Sequence, residues 1–159
     1  MTAEGDSAPV VLRWNYDPRA VGKARAELGK VLAGWGTAGE VTDAATLVLS
    51  ELLTNSLRHG RVPGRLVETR FQQAGCGGRG VRLEVHDASA RWPLAVDGTS
   101  AEPDASGGRG LLLVGAVADR WGVAARNGPG KYVWAECGVA DEVGERKVCV
   151  VDGRIARDG

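Results

Sequence analysis

The segment from Glu40 to His59 constrains the fold more than any other, because Val41, Ala45, Val48, Leu49, Leu52 and Leu53 recur at helical spacing as one wide apolar arc. Gly60 follows as a glycine stop. A helix of this length needs an apolar surface to lie on, and the remaining sequence must supply it. Asp17-Pro18 reads as an N-cap with proline at the first helical position. The helix predicted after it carries Val21, Ala24, Leu28, Val31 and Leu32 at helical spacing and ends at Gly34 or Gly36.

The supporting surface reads as strands. Val10 to Trp14 alternates, and Leu66 to Phe71 and Val81 to Val85 form a pair joined by the loop Ala74 to Gly80. The second of the pair sends Val81, Leu83 and Val85 one way and Arg82, Glu84 and His86 the other. Ala88 to Ser106, with Pro93, Gly98 and Pro103, has no sustained period and reads as a long loop of the kind that is a functional lid or a disordered segment. Gly107 to Gly110 then opens an apolar helix, Leu111 to Ala118. Strands near Trp121 to Arg126 and Tyr132 to Cys137 follow, hinged by the turn Asn127-Gly128-Pro129-Gly130. Lys147 to Val151 is either a short strand or an ordered tail. This order predicts an α/β two-layer sandwich, a mixed and mainly antiparallel sheet with helices packed on one face. Residues 1–9 are expected to be a flexible N-terminus, 10–138 one domain, and 139–159 a tail or short extension.

Composition removes several function classes. The 159 residues suit a single core, and 20 basic residues balance 20 acidic ones, so no global field recruits nucleic acid or a membrane surface. Neither is expected as a direct partner. Cys76, Cys137 and Cys149 are widely spaced and contain no C-x-x-C pair, which argues against a disulfide framework or a zinc site. With no basic-then-apolar leader in Met1 to Pro9 and no membrane-length apolar run, a cytoplasmic location is expected.

Three features carry candidate chemistry. Glu51 and Asn55 are four residues apart, so they share one helical stripe about 40° wide at the border of the apolar arc. Asn55 offers a neutral oxygen suited to Mg²⁺, and Glu51 a carboxylate able to take a proton from a water or hydroxyl beside that cation. Read alone, the pair fits exposed positions of an amphipathic helix better than a site. Asp87 ends an alternating strand, where a carboxylate either accepts hydrogen bonds from a ligand amine or starts a turn. Gly107-Gly108-Arg109-Gly110 before a helix either presents N–H groups to a phosphate or serves as a linker. It is no Walker A loop, because no Gly-Lys-Ser/Thr follows. His59 reads as a cation at a helix end, or as a phosphate contact should phosphates lie nearby. The five tryptophans read as core or edge residues, and His59 and His86 alone cannot build a Ser-His-Asp or Cys-His set.

Taken in order, Leu49-Ser-Glu51-Leu-Leu-Thr-Asn55-Ser-Leu-Arg-His59-Gly60, Asp87 and Gly107-Gly-Arg-Gly110-Leu111 resemble the GHKL or Bergerat-fold ATPases. With the late stretch Gly130-Lys-Tyr-Val-Trp-Ala-Glu136, they most resemble the short anti-sigma-factor serine/threonine kinases. The resemblance runs from about Val10 to Cys137. It implies ATP and Mg²⁺ as cofactors, with Glu51 activating the attacking hydroxyl and Asn55 holding the metal. It also implies ATP contacts from Asn55, His59, Asp87, Gly107, Gly108, Arg109, Gly110 and Leu111, Asp87 reading the adenine amino group. The implied partners are an antagonist protein phosphorylated on serine or threonine, a sigma factor, and a second copy of the chain. Two positions depart from the family pattern. Its D-x-G-x-G is here Asp87-Ala-Ser89-Ala-Arg91, and Tyr132 stands where a threonine often supports the adenine-reading aspartate.

Overall fold

The computed structural model describes residues 8–90, 106–139, 149–151 and 154–156. The expected long loop, apart from its two ends, and most of the N-terminal segment therefore lie outside the described residues. The elements run β1 (Val10–Trp14), α1 (Arg19–Trp35), α2 (Gly39–His59), β2 (Val67–Ala74), β3 (Gly80–Asp87), α3 (Ser106–Val117), β4 (Arg120–Ala125), β5 (Lys131–Cys137), β6 (Cys149–Val151) and β7 (Arg154–Ala156). They form a 7-stranded sheet in the order β1-β2-β3-β5-β4-β6-β7. Every neighbouring pair is antiparallel except β4 and β6, which run parallel. The sheet is mixed and mainly antiparallel, as the sequence pattern predicts, and part of Lys147 to Val151 joins it as β6.

The start of α1 follows from its cap. Oδ1 of Asp17 accepts the N–H of Arg19 at 2.8 Å, and Pro18, with φ −53°, is already helical. The helix ends at Gly36 in the left-handed conformation, φ 67°, where its N–H turns back to the last carbonyls. One face of α1 buries Ala20, Ala24, Leu28 and Leu32, and one face of α2 buries Ala45, Val48, Leu49, Leu52 and Leu53. These sets meet the inward residues of the sheet, Val67 and Phe71 of β2, Val81, Leu83 and Val85 of β3, and Ala135 and Cys137 of β5. Fully burying each large apolar side chain contributes roughly 1.5–3 kcal/mol, so Leu28, Leu32, Leu49, Leu53, Phe71 and Leu83 are the main apolar support of the fold. Helix α2 lies on β3 and β5, and α1 and α3 both pack against α2. Among the described residues no helix is long and apolar enough to cross a membrane, and Cys76 and Cys137 are free thiols.

The other face of the sheet carries charge. Period-2 alternation sends Arg82, Glu84 and His86 of β3 outward, opposite Glu136, Trp134 and Tyr132 of β5. Arg82 donates to Glu84 and Glu136, both at 3.0 Å, and its guanidinium stands 4.5 Å from the Trp134 ring centre. Nε2 of His86 lies 2.7 Å from Oε1 of Glu84, and the His86 and Tyr132 rings stack at 4.6 Å. Burial pushes the Glu84 carboxyl up, but hydrogen bonds from His86 and Arg82 outweigh it and hold the group below the usual glutamate value of 4.5. A depressed folded pKa contributes stability above the unfolded value that is lost as pH falls through the folded one. Glu84→Gln is therefore expected to be the less stable protein at neutral pH and to lose less stability on acidification below about pH 4.5. Thermal melts at neutral and acidic pH check this, and parallel acid limbs for the two proteins would remove Glu84 from the account.

Candidate functional site

The inward row of β3, Val81, Leu83 and Val85, ends in Asp87, so the strand delivers a carboxylate to the helix side of the sheet with only 3% of its surface exposed. Its hydrogen bonds come from three directions. Ser56, seven residues beyond Leu49 on the buried stripe of α2, donates its hydroxyl to Oδ2 at 2.7 Å. The N–H of Ser89 donates to Oδ1 at 3.0 Å, closing a tight turn after the strand. Lys131, the direct β5 partner of Asp87, donates Nζ to Oδ1 at 2.8 Å and is itself 5% exposed.

Two glycines let these groups approach. A Cβ on Gly60 would sit 2.3 Å from Oδ2 of Asp87, and one on Gly130 would sit 2.0 Å from the Asp87 carbonyl oxygen. Tyr16 completes the enclosure by donating its hydroxyl to the Gly60 carbonyl at 2.9 Å. That phenol is pushed up to about 12, first by burial and then by the negative charge of Asp87.

Glu51 and Asn55 lie on α2 within two turns of Ser56, both half-buried, and neither side chain has a hydrogen-bond partner among the described residues. His59 is exposed at the last residue of α2. Gly107, Gly108, Arg109 and Gly110 do not form a turn ahead of the third helix; they are its first turn, since α3 begins at Ser106. The N–H groups an α-helix leaves unpaired belong to its opening residues. Gly107 and Gly108 keep that position, whereas Gly110 and Leu111 lie further in, and the Leu111 side chain is part of the core. Helix α3 packs beside α2, the helix that carries Glu51 and Asn55.

One sequence expectation is corrected by register. Lys131, not Tyr132, faces Asp87; Tyr132 pairs with His86 and points to the outer face, because successive strand residues alternate sides. Ser56, Gly60, Tyr16 and Lys131 all belong to the Asp87 cluster without being among the site residues expected from the sequence. The available signals were the hydroxyl of Ser56 on the apolar arc and the place of Lys131 directly after the turn glycine. A cavity of about 390 Å³ lined by Arg70, Glu84, His86, Arg126 and Tyr132, among others, lies on the opposite, charged face and takes no part in this cluster.

The fold is a two-layer sandwich with a carboxylate at the end of β3 and the helix bearing Glu51 and Asn55 above the sheet. The family model of the histidine kinase-like ATPase domain matches residues 15–136, and the chain belongs to that family. Among solved structures, it is similar to the RsbU and RsbW domains of a Mycobacterium tuberculosis protein. That match has a TM-score of 0.60 and 18% sequence identity, and covers 82% of this chain and 32% of that one. At this identity the likeness shows the fold. The histidine kinase domain of a blue-light activated histidine kinase from Erythrobacter litoralis matches with a TM-score of 0.43 and 19% identity, over 77% of this chain and 60% of that one. The chain thus spans less than two thirds of either structure. A comparison with curated proteins gives no match.

The nucleotide and Mg²⁺ that the family implies fit the two ends of the site unequally. Mg²⁺ takes one or two protein ligands and completes its shell with water and phosphate oxygens, so Asn55, half-buried and unpartnered among the described residues, suits it. Among the described residues there is no cluster of three or more His, Cys, Asp or Glu that would hold a metal by itself. The end expected to take the base is largely occupied in this arrangement. The Asp87 carboxylate already accepts Lys131, Ser56 and Ser89 where an adenine amine would donate.

Proposed function

We propose that this chain is an ATP-binding regulatory protein of the anti-sigma-factor serine/threonine kinase type. It phosphorylates a serine or threonine of an antagonist protein, engages a sigma factor as its second partner, and acts in the cytoplasm, alone or as a homodimer. One observation carries the reading: Glu51 and Asn55 share a half-buried stripe of α2, unpartnered among the described residues, on the helix that also donates Ser56 to Asp87. Asn55 would hold Mg²⁺, and Glu51 would accept the proton of the attacking hydroxyl; the metal, when bound, neutralises charge on the phosphates. Gly107 and Gly108 would add N–H donors at the positive end of α3. Arg109, His59 and the backbone of Gly110 and Leu111 complete the proposed ATP contacts.

Phosphoryl transfer from labelled Mg-ATP to candidate antagonist proteins tests the reading. Glu51→Ala is expected to lower transfer by about a hundredfold while Mg-ATP still raises the melting temperature. Asn55→Ala is expected to lose both. Transfer unchanged in Glu51→Ala would take Glu51 out of the mechanism.

A second reading, a non-catalytic module that sequesters a sigma factor or other regulator with nucleotide structural or absent, is favoured by the Asp87–Lys131 pair and by Ser89 and Arg91 in place of the family's two glycines. In that case partner binding survives both Glu51→Ala and removal of ATP.

A further inference from the structure

The carboxylate at the base end of the site already holds a cation from its own chain. Asp87 and Lys131 are direct neighbours across β3 and β5, with side-chain exposures of 5% and 7%, and their N–O distance is 2.8 Å. A carboxylate in this position accepts hydrogen bonds from whichever donors reach it. An adenine brings a neutral exocyclic amine, whereas Lys131 brings an ammonium. A charged donor makes a hydrogen bond roughly twice as strong as a neutral one, and a tethered donor competes at an effective concentration of about millimolar or more. Ser56 and the Ser89 N–H take up further lone pairs of the same carboxylate.

Resting on the reading of Asp87 as the base-recognition carboxylate, we propose that Lys131 is an internal competitor for the nucleobase. Its ammonium occupies the hydrogen-bonding position on Asp87 that an adenine amine would take. Purine binding therefore requires the lysine to withdraw or to be shared. An ammonium has three donors and no acceptor, so it makes no hydrogen bond to the exocyclic amine of adenine, whereas the keto oxygen that replaces that amine in a 6-oxopurine accepts one. The residue both weakens ATP binding and removes the preference for an amino purine over a keto purine.

Calorimetric titration of the full chain and of Lys131→Thr with Mg-ATP and Mg-ITP tests this. Lys131→Thr is expected to bind ATP roughly tenfold more tightly than the wild type, the worth of one hydrogen bond to a charged group, and to prefer ATP over ITP. The wild type is expected to bind the two nucleotides about equally. Tight wild-type binding of ATP with a clear preference over ITP, or no gain in Lys131→Thr, overturns the internal competitor and leaves the ATP reading standing. If Lys131→Thr does not fold, the ATP against ITP comparison on the wild type decides alone. Absence of binding by every folded protein tested removes the ATP reading, and the competitor with it.

Discussion

Gly130→Ala is expected to unfold the domain or to lower its stability by about 4 kcal/mol or more, since backbone strain and a steric clash act together. Gly130 has φ +106°, outside the range that L side chains ordinarily adopt. Its missing Cβ would lie 2.0 Å from the Asp87 carbonyl oxygen and 2.7 Å from the Ala88 Cα. Those are backbone atoms at the end of β3, and moving them would break the β3–β5 pairing that sets Lys131 against Asp87. Gly128, two residues earlier in the same turn, supplies the control. It has φ +99° but nothing within 4 Å of a built Cβ, so Gly128→Ala carries strain alone, about 1–3 kcal/mol. Urea denaturation of the two variants separates clash from strain. Equal losses would mean that close approach at Gly130 contributes nothing.

The same turn shows where reading the sequence stops. The apolar arc of α2 and the clean alternation of Val81, Leu83 and Val85 are legible because each reflects one element's period against one buried surface. Hence the sandwich, the inward end of β3 and the half-buried stripe of Glu51 and Asn55 follow from pattern. The partner of Asp87 does not. It depends on the register of β5 against β3, two strands separated in the chain by α3 and β4. With a side-chain period of two, a shift of one residue would set Tyr132 against Asp87 and send Lys131 to the outer face. The first turn of α3 was hidden for another reason. Three glycines in Gly107 to Gly110 have poor helix propensity and read as a turn, whereas burial of Leu111 and Val114 in the core favours the helix. The role of Ser56 is not legible either, because its acceptor comes from a strand 31 residues away.

The second large effect belongs to the Asp87–Lys131 pair. Lys131→Met is expected to cost about 3–5 kcal/mol, because it keeps the stem but leaves a buried carboxylate without its countercharge. Asp87→Asn is expected to cost a similar amount for the opposite reason, since the ammonium is then buried without a carboxylate. The double variant removes both charges together and should be destabilised by less than the sum of the single losses, with a coupling of roughly 1–3 kcal/mol. Denaturant midpoints of the four proteins close the cycle. Additive losses would mean that the pair is uncoupled, and would also remove the basis for Lys131 as an internal competitor, since an ammonium that gains nothing from Asp87 has no hold on that position. A strong coupling has the opposite bearing on function. Any base that displaces Lys131 must then supply, through its own contacts and those of its phosphates, the stability that the lysine gives the empty domain. Nucleotide occupancy thereby becomes linked to the packing of β3 against β5 and to the end of α2, where Ser56 and Gly60 touch the same carboxylate.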